Sequence, residues 1–315
     1  MMATYILRRF GSILVIVFLA SLIIFSITQF LPGDVAQLVL GQFATEEAIA
    51  NLREEYGLNN PFYIQYLDWA VNFVQGDWGN SLVSRMPVFP MVMSRLRNSA
   101  MLAVVVLMLY VPFGILLGVL AALKRDKWPD QIITTISMMF VALPVFVSSL
   151  LLIPLFCHFL GWLPANSSIL PDSTFGEALP YLILPAIAVA LNSLGYVARM
   201  TRAGTIDVLR TDYVRAAYLK GLPRRQVLVR HALRNALLPT ITIIAMDAGM
   251  MIGGMLVAEV VFGYPGLGRL LLYGMQNQDL PLIQACSMVA VALLCLANLI
   301  ADLLYGLLNP RIRVK

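Results

Sequence analysis

The chain reads as an all-α polytopic membrane protein with six transmembrane helices and both termini in the cytoplasm. Three observations predict this. Of its 315 residues, 60% are hydrophobic and 12% charged, where a soluble globular domain carries about 25% charged residues. Six apolar runs, roughly 10–31, 99–122, 132–160, 179–200, 238–261 and 282–307, are long enough to cross a hydrocarbon core of about 30 Å. Lys and Arg gather mainly on one side of those runs. Each run must be helical, because unpaired backbone groups cannot face lipid.

The first run follows Arg8-Arg9 and continues to Leu31, where Pro32-Gly33-Asp34 ends it. It exceeds the about 7–15 apolar residues of a signal peptide, and no A-x-A site follows, so it reads as an uncleaved span. The segment 32–98 comes next. Thr45-Glu46-Glu47 opens a capped helix through Tyr56, with Gly57 as its stop. A second short helix runs from Pro61-Phe62 to about Gln75, rich in Tyr, Trp and Phe, and is expected at the membrane interface. It serves either as a structural cap or as a contact surface for an external partner.

Pro112 and Pro185 sit inside the second and fourth runs. The third contains Pro144 and Pro154, which predict a kink or break. The glycine-rich segment 262–281 is expected to turn back toward the membrane without a regular helix.

Charge sets the orientation. Arg8 and Arg9, Lys124, Arg125 and Lys127, the stretch Arg199 to Arg234, and Arg311, Arg313 and Lys315 all fall on one side. The other side carries Arg53, Arg85, Arg95, Arg97 and Arg269 and most acids, among them Asp34, Glu46, Glu47, Glu54, Glu55, Asp68 and Asp77. The positive-inside rule makes the first side cytoplasmic. Three domains follow: 1–98, a first span with an extracytoplasmic segment; 99–307, a five-helix core with a cytoplasmic loop at 201–238; and a tail, 308–315.

That loop is the most informative polar stretch. Thr211 suits an N-cap, and Asp212 lies in the first turn, where an acid favours the positive helix end. Val214, Ala217 and Leu219 supply apolar positions, Lys220 suits the negative pole, Gly221 fits C′, and Pro223 fits N1 of a second helix carrying Arg224, Arg225, Arg230 and Arg234. This is a two-helix knuckle. It is either a lipid-facing basic loop or a docking helix whose small pair Ala216-Ala217 admits a partner's groove. Nucleic-acid binding is disfavoured, because no soluble fold carries the basic residues.

The knuckle resembles the coupling loop of ATP-binding-cassette importer permeases. Ala216-Ala217-x3-Gly221 has the spacing of the E-A-A-x3-G pattern, with Arg215 in place of the Glu. The run Asp212-Tyr213-Val214-Arg215-Ala216-Ala217-Tyr218-Leu219-Lys220-Gly221 is similar to the version in the dipeptide, oligopeptide and nickel branch, with Tyr218-Leu219 bulkier than usual. Leu31-Pro32-Gly33-Asp34, Gly76-Asp77-Trp78-Gly79-x-Ser81, His231 to Ala236, Tyr264 to Arg269 and Asn309 to Arg313 follow the same branch in order. The long segment before the second span looks like the first permease of a pair.

The resemblance implies a type I importer permease in a bacterial inner membrane. It implies a second homologous permease, two cytoplasmic ATPase subunits that bind ATP and Mg, and a periplasmic solute-binding protein. It assigns ATPase coupling to Asp212, Tyr213, Arg215, Ala216, Ala217, Lys220, Gly221, Leu222 and Pro223. The cargo would be a dipeptide, a longer peptide, glutathione, a nickel complex or a related solute.

The residues themselves agree with a non-enzyme. The sequence has no G-x4-G-K-[ST] motif, no catalytic constellation, and three cysteines and two histidines without metal-ligand spacing. No metal or cofactor is expected on this chain. Pro144, Asp247, Glu259 and Asn298 are the pathway candidates. Intramembrane acids are functional by default, and the alternative is that Asp247, Glu259 and Asp302 satisfy neighbours such as Asn192 or Asn298. Two other classes remain open, an ion-gradient-driven transporter, which would want clustered mid-span charges and repeats, and a structural membrane scaffold.

Overall fold

In the computed structural model, residues 2–29, 45–55, 59–169 and 174–308 are described, and all statements below concern them. The motifs at 31–34 and 309–313, the helix stop at Gly57 and the tail beyond Leu308 lie outside those residues. The chain is helical, with one isolated bridge between Asn80 and Pro87. The helices are α1 (Met2–Gln29), α2 (Glu46–Glu55), α3 (Phe62–Gln75), α4 (Val88–Leu123), α5 (Trp128–Ala142) and α6 (Val145–Ile153), then α7 (Phe175–Leu209), α8 (Asp212–Leu219), α9 (Arg224–Val261), α10 (Leu267–Gln276) and α11 (Leu280–Leu308).

Five helices are long and apolar enough to cross a membrane: α1 over Arg9–Thr28, α4, α7, α9, and α11 over Leu280–Leu304. The expected break in the third run is real. The pair α5 and α6 bends by 106° across Leu143-Pro144, and counting it as one span gives six. Pro144 has no N–H to donate, so α6 starts there, with its carbonyl accepting from Val147 at 2.9 Å and Ser148 at 3.1 Å. Pro154 starts a π-helical turn, Pro154–Phe159.

Several boundaries differ from the sequence reading. α4 begins at Val88, before its apolar run, and so includes Arg95 and Arg97. α7 begins at Phe175, where the Glu177 carboxylate accepts the Thr174 backbone N–H at 2.9 Å, one half of an S/T-x-x-E capping signal. It then continues to Leu209, into the basic segment. The segment 262–281 does contain a helix, α10. Gly263 takes a left-handed φ of +65° and absorbs the turn, and Gly266 provides the N-cap, so the remaining residues are free to be helical.

Contacts divide the chain into two compact units. One comprises 1–9, 99–265 and 293–315. Its central helix is α7, with 61% of its apolar window buried inside the chain. α9, α5 and α6 all pack on it. Lipid tails are as apolar as Leu, so helices associate by close van der Waals fit at small residues. A methyl group on Gly204 would come within 2.5 Å of the Ala236 carbonyl oxygen, and one on Gly118 within 2.5 Å of the Ala198 carbonyl oxygen. Elsewhere in this unit the apolar core gathers Tyr110, Leu102, Leu182, Leu184, Met251, Met255 and Phe262, all buried.

Two ion pairs tie this unit at helix ends. Arg9 meets Asp302 at 2.8 Å, so the start of the first span and the end of the last lie together. Asp130, in the first turn of α5, receives both the Nε and an Nη of Arg202 on α7, each at 2.6 Å. It also accepts the Asp126 backbone N–H at 3.0 Å.

The second unit comprises 10–98 and 266–292. The aromatic face of α3 packs on α1: Tyr66 bonds Ser21 at 2.8 Å, and Phe25 touches Phe62, Tyr66 and Trp69. Ser21 to Thr28 spans about 10 Å along a helix, so α3 packs beside the last two turns of the apolar stretch of α1. The motif Gly76 to Ser81 is a joint. Trp78 stacks on Phe73 at 4.6 Å, Gly79 is left-handed at φ +71°, and the Ser81 hydroxyl donates to buried Asp279 at 2.5 Å. Asp279 also accepts the Leu82 N–H at 3.2 Å and the Leu282 N–H at 3.4 Å, capping α11.

Asp130 is almost wholly buried, so removing its partner strands a charge. Arg202→Ala is expected to cost about 3–5 kcal/mol, and thermal unfolding in detergent should show it as a lowered midpoint. The double change Asp130→Leu with Arg202→Met should recover most of the loss.

Candidate functional site

The knuckle is built by its stop signal. Lys220 is the C-cap of α8, and Gly221 follows at φ +76°, a region L-residues rarely adopt. The Gly221 N–H bonds the Tyr218 carbonyl at 2.9 Å and the Leu222 N–H bonds the Ala217 carbonyl at 3.4 Å, the paired bonds of a Schellman motif. Pro223 lies at the N-cap, not N1. Its carbonyl accepts from Gln226 at 2.9 Å and Val227 at 3.1 Å. At the other end Thr211 occupies the N-cap position, yet its hydroxyl donates backward to Val208 at 2.6 Å and leaves the α8 N–H groups uncapped by it.

The second helix does not stop before the fifth span. It runs unbroken from Arg224 to Val261 through Pro239, with a π-helical stretch at Val227–Ala232. Widening to i→i+5 bonding brings residues five apart onto one face. Val227 and Ala232 thereby both turn toward α8 and bury with Val214 and Ala217, flanked by Val208, Leu209, Leu222 and Leu228. Tyr213 fastens the packing: Asn235 Nδ2 donates to its hydroxyl at 2.9 Å.

The small pair is therefore split. Ala217 is buried in the knuckle's own core and Ala216 is exposed. Leu219, read as an apolar packing position, is 85% exposed, beside half-exposed Tyr218. Around them lie Asp212, Arg215, Lys220, Gly221 and Pro223, all exposed, with Leu222 half-buried behind. Arg215 reaches Asp212 at 3.6 Å, a surface contact of little energetic weight. The result is a rigid knob with an aliphatic tip in a polar collar.

The pathway candidates separate. Pro144 marks the helix break and is exposed. Glu259 is fully buried and accepts the Ser99 hydroxyl at 2.5 Å. Asn298 packs its Oδ1 where a Gly249 side chain would stand, 2.7 Å from the position of a Cβ there. Asp247 is buried two residues earlier on α9, faced by Tyr110 of α4 and Ser193 of α7. Sequence reasoning missed Asp130, Arg202, Tyr110 and Ser193. A polar residue inside an apolar run was the available signal for the last two. Among the described residues no group of three metal-ligating side chains occurs.

The described residues form a helical core with membrane-spanning lengths, one broken span and an apolar-tipped knuckle. The comparisons agree. Residues 114–314 match the model of the binding-protein-dependent transport system inner membrane component, and residues 2–112 match the model of its N-terminal part. The chain belongs to this family, the ATP-binding-cassette importer permeases. It is 36% identical to the glutathione transport system permease protein GsiC of Escherichia coli K12 over 314 residues, 100% of both chains. The same identity and coverage hold for GsiC of Shigella dysenteriae. A solved structure titled an amino acid ABC transporter with histidines shares the fold, with TM-score 0.52 and 17% identity, over 69% of this chain and 94% of that one.

The split pair gives a clear contrast. Ala217→Asp places a charge in the knuckle core, at a cost of several kcal/mol, and should expose Arg224 and Arg225 to rapid trypsin cleavage. Ala216→Asp should leave the cleavage rate as in the unsubstituted protein.

Proposed function

We propose that this permease forms the translocation pathway of an ATP-driven bacterial importer for dipeptides, oligopeptides or related amine-bearing solutes such as glutathione. It pairs with a second homologous permease, docks two cytoplasmic ATPase subunits that bind ATP and Mg, and receives solute from a periplasmic binding protein. Both termini and the knuckle lie in the cytoplasm. The meeting of Arg9 with Asp302 supports placing the two chain ends on one side, and the basic loops favour the cytoplasmic one.

The observation that carries the reading is the exposed knob, Asp212 to Pro223, held rigid by its own small core. A loop with no partner gains nothing by holding Leu219 85% exposed on a braced helix. A helix seated in a groove needs such a tip. The cargo reading is supported by the full-length similarity to a permease named for glutathione transport. The chain has no phosphate-binding loop, so the energy enters through the knob. α8 connects through Arg210 and Thr211 to α7 and, after the Gly221 turn, directly to α9. Closure of the ATPase pair would therefore move two helices of the core together, with α5 drawn along by Asp130 and Arg202. Pro144, Asp247, Glu259 and Asn298 are the residues proposed along the pathway.

Leu219→Asp removes the aliphatic tip without entering the knuckle core. ATP-dependent uptake in proteoliposomes should fall at least ten-fold, and the ATPase subunits should be lost from the purified complex, with the melting midpoint of the permease unchanged. Full uptake by this variant would sink the docking reading.

A further inference from the structure

Asp247 and Glu259 of α9 and Asp302 of α11 are acids within apolar helices of the core unit, and two of the three are satisfied. Glu259 holds Ser99 and Asp302 holds Arg9. Asp247 is different. It is buried at 8% relative exposure, yet Oδ2 has no direct hydrogen-bond partner among the described residues. The fully buried Tyr110 hydroxyl of α4 faces the same carboxylate as its hydrogen-bonding neighbour, beyond direct-bond distance. The Ser193 hydroxyl of α7 faces it from a third helix.

The expected satisfiers are engaged elsewhere. Asn192 donates its amide to the Val141 carbonyl at 3.0 Å, a group freed by the break in α5–α6. Asn298 packs against Gly249. Oδ2 is left open in a buried site, and a half-satisfied buried polar network is worse than an apolar one. A purely structural acid would have closed its bonds as Glu259 and Asp302 do. Asp247, Tyr110 and Ser193 instead present three oxygens from three helices beside the α5–α6 break, which Asn192, adjacent to Ser193, anchors. An ammonium group carries three donors and one positive charge, the complement of that set.

Resting on the importer reading, we infer that Asp247, Tyr110 and Ser193 form an intramembrane subsite for the protonated amine of the solute in transit. The subsite would select for a primary ammonium after release from the binding protein, and the neighbouring break would let it open and close.

The complete complex of both permeases and ATPases, without binding protein, is titrated with glycinamide, a primary amine, and with acetamide, its uncharged counterpart. The subsite predicts a rise in melting midpoint with glycinamide alone, since a ligand that binds only the folded state stabilises it. Asp247→Asn should abolish that rise, Tyr110→Phe should shift it to at least three-fold higher glycinamide, and Asp247→Glu should keep part of it. Equal response to both probes, or an unchanged response in Asp247→Asn, overturns the subsite. So does a starting midpoint that collapses in both Asp247→Asn and Asp247→Glu, which marks the acid as structural. ATP-dependent uptake of alanyl-alanine and glutathione by the unsubstituted importer is read in parallel. Loss of the glycinamide response with uptake intact removes the subsite alone. Absence of ATP-dependent uptake of both probes counts against the importer reading itself.

Discussion

Close helix approach along α7 is the constraint on which the core unit depends. In lipid no hydrophobic force draws one helix to another, so contact distance decides the packing energy. Gly204 and Gly118 allow backbone carbonyls of α9 and α7 to come nearer than any side chain would permit. Gly195 does the same for α5, where a methyl group would press into the Ser137 carbonyl. With these contacts α7 touches α5, α6 and α9 at once. Several elements of the unit hang on that spine: the knuckle grows from its end, the Asp130–Arg202 pair grips it, and Ser193 faces Asp247 from its middle.

The polar groups of the core show how membrane proteins use charge sparingly. Each of the following acids, buried except for half-buried Asp302, spans two elements. Asp130 joins α5 to α7, Glu259 joins α9 to α4, Asp302 joins α11 to α1, and Asp279 fixes the Gly76–Ser81 joint to the start of α11. Such bonds specify register more than they add stability, since a buried pair roughly breaks even against apolar packing while a broken one is costly. They leave the α5–α6 break as the irregular point, with its freed Val141 carbonyl held by Asn192, as hydrocarbon surroundings require.

Much of this was legible in the residues. The apolar runs, the break at Pro144, the aromatic helix at 62–75 and the Gly221 stop each rest on local physics: span length, a missing N–H, amphipathic aromatics, a left-handed φ. The misreadings share a cause. α10 was missed because glycine lowers helix propensity, whereas here Gly263 and Gly266 sit at the turn and cap and Gly268 and Gly274 are buried. The knuckle's second helix and the fifth apolar run were read as separate, yet they form one helix through Pro239, as neighbouring helices allow in a membrane. Leu219 was placed inside because apolar residues usually are, and the one-sided core of so short a helix had room only for Val214 and Ala217.

The sequence by itself determined the class, the number of spans, the side on which charge accumulates and the position of the knuckle. These depend on the chain's interaction with lipid, water and its own near neighbours, which composition and spacing encode directly. Tertiary structure alone decided which of Ala216 and Ala217 faces out, which acids are fully paired and which one keeps an oxygen open. Partnering joins residues 160 positions apart in the case of Ser99 and Glu259, and no local rule reaches that far. For the same reason Asp247, one of three similar acids in the sequence, became distinct only when α4, α7 and α9 were brought together around it.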